Sequence, residues 1–135
     1  MLIKTTPDAE KAKAILKMIE STLRMIRELN PKKFPSQIIK EYYDILRELI
    51  SIIALLDGYR TLGEGAHKEL MEYIQDNYHS KLEESHFHFL NELRIIRNKI
   101  TYDGFFVNLE YVKRNEEVII TIIKKLKDIT GAKLR

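Results

Sequence analysis

Residues 37–58, QIIKEYYDILRELISIIALLDG, constrain the fold more than any other stretch of this chain. Ile39, Tyr42, Leu46, Leu49, Ile53 and Leu56 recur at three- and four-residue steps and make one apolar stripe. Ile38, Ile45, Ile52 and Leu55 make a second. A helix that is apolar over so much of its circumference is either central in a bundle or shared with another subunit. Its greasiest run, LISIIALL at 49–56, is far too short to cross a bilayer. Gly58 supplies the stop.

The flanking segments follow the same 3.6-residue period. Thr6-Pro7-Asp8 opens an earlier helix, with Thr6 as the cap and Pro7 in the first turn. Ala12, Ile15, Leu16, Ile19, Leu23 and Ile26 form its inner face, and Asn30-Pro31 ends it. KKFPS reads as a loop, with Ser36 capping the central helix. YRTLGEG reads as a second loop, leading to a shorter helix with Leu70, Met71, Ile74 and Tyr78 inward. The next helix carries Leu82, Phe89, Leu93, Ile96 and Ile100 on one face, with His86 between the first two. It stops at Asp103-Gly104. Asn108 caps a last helix with Val112, Ile119, Ile122, Leu126 and Ile129 inward, and Gly131 stands where a C-terminal cap belongs. No stretch reads as a convincing strand, and only Phe105-Phe106-Val107 reads as extended. The expected fold class is all-α: an up-and-down four-helix bundle with one additional short helix, one domain over 1–135.

Composition agrees with a packed helical domain: 44% of residues are apolar and 32% charged. The absence of cysteine excludes disulfides, thiolate zinc sites and cysteine nucleophiles. MLIKTTPDAEKAKAI has no apolar signal-peptide core, so a cytoplasmic protein with no membrane association is expected. Charge is unevenly placed. Residues 61–92 carry a net −5 and residues 124–135 a net +4. A basic end can meet nucleic acid, or it can simply complement the dipole of a helix C-terminus.

Chemistry is concentrated in LRIIRNKITYDGFF, residues 93–106. With Ile96 at 0° and about 100° per residue, Arg97 falls at about 100°, Thr101 at about 140° and Arg94 at about 160°. Asn98 (about 200°) and Tyr102 (about 240°) lie further round. Two guanidiniums with an amide, a hydroxyl and a phenol make a reasonable phosphate clamp. The same residues also fit a packing role, with Arg97 paired to a carboxylate of a neighbouring helix and Asn98 and Thr101 satisfying loop backbone.

RNKITYDG resembles the signature of the HEPN superfamily, small helical bundles of prokaryotic toxin–antitoxin and defence systems. That signature is an Arg, usually followed directly by a polar residue, with four to six residues between the Arg and a His near the end of the penultimate long helix. Arg97, Asn98 and the aliphatic Ile100 match, and the helix order is similar. Tyr102 stands where the histidine belongs. The resemblance implies an RNA- or nucleotide-binding protein, with metal-independent ribonuclease activity weakened or lost. Arg97, Asn98 and Tyr102 would be the catalytic positions, and Arg94 and Thr101 the phosphate- or RNA-binding ones. Histidine suits proton transfer near neutral pH, whereas a tyrosine phenol ordinarily titrates near 10 and makes a poor general base. The alternatives are a non-catalytic helical partner of a nucleotidyltransferase antitoxin, or a helical oligomer without a ligand.

Among the histidines (His67, His79, His86, His88), His86 lies nearest Arg97 on the wheel, but roughly 16 Å away along the axis. His86 and His88 diverge by about 200° and cannot chelate one ion together. No metal and no cofactor is expected. LGEG at 62–65 lacks the residues of a phosphate-binding P-loop. Phe87 and Leu90, off the main stripe of their helix, add to the apolar surplus of the central helix, and a two-fold homodimer is expected to bury it.

Overall fold

The computed structural model describes residues 1–63 and 65–135. Glu64, inside the stretch read as a second loop, lies outside them. The described elements are β1 (Leu2–Lys4), α1 (Ala9–Glu28), α2 (Pro35–Leu56), β2 (Tyr59–Thr61), α3 (Ala66–Tyr78), α4 (Glu84–Asp103) and α5 (Leu109–Leu134). The all-α class holds, with four long helices and a shorter one. The strands correct the sequence reading: β1 pairs antiparallel with β2, Ile3 opposite Arg60. Phe105–Val107 is a loop rather than a strand. Three-residue strands carry too little periodicity to be legible in sequence.

α2 is the centre. It packs against α1, α3, α4 and α5, and against β2. Both of its stripes are buried: Ile39, Leu46, Leu49 and Ile53 from one, Ile38, Ile45 and Ile52 from the other. The apolar surplus that suggested a second subunit is therefore absorbed within one chain. Phe87 and Leu90 are buried too. The inner face of α4 runs through His86, Phe87, Leu90 and Leu93, while Ile96 and Phe89 are only partly covered. On the wheel that face centres at about 110°, not at Ile96. The expected face centres at about 30°, so the observed one is turned from it by about 80°, and this decides where Arg97 points.

Three end signals differ from expectation. α1 is capped by Asp8 and not Thr6, the Asp8 carboxylate accepting from the Lys11 N–H at 3.0 Å. α2 starts at Pro35 with Phe34 as its cap residue, and Ser36 is buried one residue inside. Ser36 Oγ instead accepts the Val107 N–H at 2.9 Å, pinning the α4–α5 connection to the start of α2. α5 runs through Gly131 to Leu134, because Lys133 is anchored to Asp57 and Leu134 rests on the core. Asn108 and Gly104 behave as read: Asn108 accepts from the Tyr111 N–H, and Gly104 closes α4 at φ +66°.

Gly131 is thus a helix-interior glycine, and a Cβ there would meet nothing within 4 Å. Gly131→Ala should raise stability by about 0.5–1 kcal/mol, read as an upward shift of the thermal midpoint. A downward shift would mean that the last turn of α5 is not helical in solution.

Candidate functional site

The rotation of α4 places its two arginines against α2. α2 and α4 run antiparallel: Arg97 lies beside Asp44, and one turn on, Thr101 shares a cleft with Lys40. The same register sets Arg94 opposite Arg47. Arg97 Nη2 lies 3.2 Å from Asp44 Oδ1, with the two side chains only 12% and 20% exposed. Its guanidinium carbon also sits 5.8 Å from the centre of the Tyr43 ring, a cation–π distance. The third wall is α3. His67, its second residue, stacks obliquely on Tyr43 with ring centres 5.9 Å apart. Gly65 opens α3 at φ +80° without a side-chain cap, so the positive end of its dipole is unmasked by any cap.

This wedge of α2, α3 and α4 holds five buried side-chain atoms that lack a hydrogen-bond partner: Tyr43 Oη, Asp44 Oδ1, Arg47 Nε, Arg94 Nε and Arg97 Nε. No other such atom occurs among the described residues. Asp44 Oδ1 is close enough to Arg97 to count as an ion pair yet too poorly aligned to count as hydrogen-bonded. The attraction is therefore there without a directional bond. Native interiors rarely leave polar atoms orphaned, and four of these five are donors suited to a further acceptor. Three guanidiniums gather about Asp44, and Glu48, a turn beyond it, lies within the field of Arg47. Burial, and then Asp44 and Glu41, push its carboxyl up against the pull of Arg47.

The wedge perturbs its neutral members. Burial pushes the Tyr43 phenol up to about 12, against the opposing pull of Arg94, Arg47 and Arg97. Burial, then the positive charges of Arg47 and Arg97, lower the pKa of His67 below its ordinary value, and Asp44 only partly compensates. His67 therefore keeps a neutral imidazole where a free histidine would begin to protonate.

The five residues expected to form the site do not converge. Arg94 and Arg97 enter the wedge. Arg94 Nη2 donates to Asn91 Oδ1 at 3.1 Å, and Arg97 Nη1 lies 3.5 Å from Asn98 Oδ1. Thr101 is exposed in the cleft with Lys40. Tyr102 is 74% exposed on the opposite side of α4, about 140° round from Arg97. Arg97 and Tyr102 therefore cannot grip one phosphate from within a single chain. The histidine close to Arg97 is His67, which sequence spacing passed over because α3 is distant in sequence. His86 is buried and closes a capping box, with Nδ1 accepting from the Glu83 N–H at 3.2 Å. His79 and His88 are exposed.

Tyr43, Asp44, Arg47 and His67 were missed. One signal was present: Arg47 stands four residues after Tyr43 and three before Ile50, both fully buried, so a guanidinium occupies a core-facing slot. Two of the five cations of the basic C-terminal end are paired within the fold. Lys127 pairs with Glu20, and Lys133 pairs with Asp57 and lies over Tyr78. The wide cleft of about 400 Å³ beside Tyr78, Lys125 and Lys133 contains none of the candidate residues. No described helix is long and apolar enough to cross a membrane. No protein-family model, curated protein or solved structure matches the chain, so function is argued from the site.

Proposed function

We propose that the chain is a HEPN-like helical domain that binds the phosphate of an RNA or nucleotide in the α2–α3–α4 wedge. The observation that carries this reading is the group of orphaned buried polar atoms on Tyr43, Arg47, Arg94 and Arg97. A phosphate oxygen offers several acceptor lone pairs to guanidinium donors and to a phenol, and its charge offsets the cationic surplus. The resemblance of RNKITYDG to the HEPN signature supports the same ligand class. Binding outweighs cleavage in this reading. The exposed Tyr102 phenol points away from Arg97, and the neighbouring histidine, His67, lies partly buried beside Tyr43. Pairing with a second copy, or with a nucleotidyltransferase, rests on the resemblance alone.

The test is an imidazole NMR titration of His67 with and without inorganic pyrophosphate. Bound anion should cancel part of the arginine field and raise the His67 pKa, and Arg94→Gln should abolish that rise. A His67 titration indifferent to pyrophosphate, with no gain in thermal midpoint, overturns the reading. An RNA-cleavage assay with EDTA present should show little cutting. Efficient cutting lost in Arg97→Ala would restore the ribonuclease reading.

A further inference from the structure

Four of the twelve aromatic side chains are exposed, and all four gather at one end of the fold. Phe34 is 42% exposed, Tyr102 74%, Phe105 43% and Phe106 79%. The other eight are buried or partly buried. Nor are these four on a loose terminus. Gly104 turns the chain out of α4, and the Ser36–Val107 hydrogen bonds hold the connection against α2. Phe105 and Phe106 thus form a fixed lip over a cleft of about 280 Å³ that also contains Gln37, Lys40 and Thr101.

Charge separates the candidate occupants. Residues 30–40 and 97–108 contain Lys32, Lys33, Lys40 and Lys99 and one carboxylate, Asp103. Lys99 Nζ lies 5.9 Å from the centre of the Phe105 ring. Exposed rings interleaved with cations suit a ligand that alternates flat apolar faces with negative charges, which is the chemistry of a nucleic-acid strand. A duplex keeps its base faces stacked inside and could offer the rings only its backbone, so a single strand fits better. The cleft also lies next to the wedge along α2 and α4. Lys40 and Thr101 lie one helical turn, about 6 Å, from Asp44 and Arg97, and Arg47 and Arg94 lie one turn further.

We propose that Phe106, Phe105 and Tyr102 form a stacking platform for unpaired bases, with Lys40 and Lys99 neutralising the backbone of a single strand whose next phosphate enters the arginine wedge. The proposal rests on the anion reading of the wedge and adds the strand and its bases to it. Phe106 and Tyr102 are exposed enough to be removed without touching the core.

The experiment is fluorescence anisotropy with a labelled single-stranded RNA of about twelve nucleotides, within the range of known site sizes, against its duplex at matched salt. The single strand should bind more tightly than the duplex. Phe106→Ala should weaken it by about tenfold, the scale of losing one base stack. Lys40→Gln should lower the salt slope by about one charge. In Phe106→Ala the pyrophosphate response of His67 should persist, since the ring is outside the wedge. Equal affinity for strand and duplex overturns the platform, as does single-strand affinity unchanged in both Phe106→Ala and Tyr102→Ala. If Phe106→Ala instead halves the mass seen by light scattering without changing strand affinity, the lip is a contact between copies and the proposal fails. If pyrophosphate binding fails while the strand still depends on Phe106, the wedge reading falls and the platform stands alone.

Discussion

Asp44→Asn should lower stability by about 2–3 kcal/mol and, at the same time, tighten the binding of phosphate-like anions. The first effect follows from removing the one carboxylate that faces Arg97, which leaves like charges without their partner in a poorly solvated wedge. Breaking a fully buried pair costs about 3–5 kcal/mol, and the residual exposure of both side chains reduces that figure. The second effect follows because Asp44 is also the resident competitor of an incoming anion. Removing its charge strengthens the field of the three guanidiniums and turns one carboxylate oxygen into an amide donor that an anion can also use. Urea unfolding in chloride, repeated with added sulfate, measures both. The variant should be markedly less stable in chloride and should recover more stability in sulfate than the wild type does, by mass action on the folded state. A loss below about 0.5 kcal/mol would mean that the guanidiniums reach water, as exposed ion pairs do. The wedge would then have no unmet demand for an acceptor.

Asp57→Asn should cost about 3 kcal/mol at neutral pH, with a loss that shrinks in acid. Asp57 ends α2, and its carboxylate accepts from Tyr78 Oη at 2.6 Å, from Tyr73 Oη and from Lys133 Nζ. One side chain thus ties the end of α2 to α3 and to the last turn of α5. Hydrogen bonds to a charged group contribute more than neutral ones, and an amide can replace only part of the set. Burial raises the Asp57 pKa, but the bonds from Lys133, Tyr73 and Tyr78 outweigh it and hold the pKa below the ordinary value of 3.8. The unfolded chain therefore takes up this proton before the folded one does. The contribution is fully present above pH 3.8 and is lost as pH falls through the folded value below it. Lys133 mirrors this at the other limb. Burial lowers its pKa, but Asp57 and Tyr78 raise it further, so its contribution fades only above the ordinary 10.5. Unfolding curves of wild type and variant at neutral pH, pH 4 and pH 2.5 should show a gap that is constant down to about pH 4 and then closes. A gap independent of pH would assign the loss to packing and not to the charge.

Much of the fold could be read from periodicity because long helices repeat their signal many times. The doubly apolar stretch at 37–58 could only be central or shared, and it is central: four helices pack on it and bury both of its apolar stripes. Local end signals were less secure. Asn108 and Gly104 act as read, whereas Thr6, Ser36 and Gly131 do not. At Ser36 and Gly131 a partner distant in sequence takes over, the Val107 backbone in one case and Asp57 through Lys133 in the other, whereas at Thr6 the cap passes to Asp8, two residues on. The strands escaped notice because three residues hold barely one period.

By itself the sequence determined that this chain is helical, that residues 37–58 are its axis, and that Arg94, Arg97 and Thr101 share one side of a helix. Those properties depend on neighbours within a turn or two. Which way that side faces was decided only by tertiary packing. Burial of Phe87 and Leu90 turned α4 by about 80° from the face that Phe89, Leu93, Ile96 and Ile100 suggested. That rotation sent Arg97 inward to Asp44, sent Tyr102 out to solvent, and brought Tyr43, Arg47 and His67 from two other helices to the same place. A contact between residues some thirty to fifty positions apart leaves no periodic trace. It is set by how apolar volumes fit together, and the wedge exists only once they do.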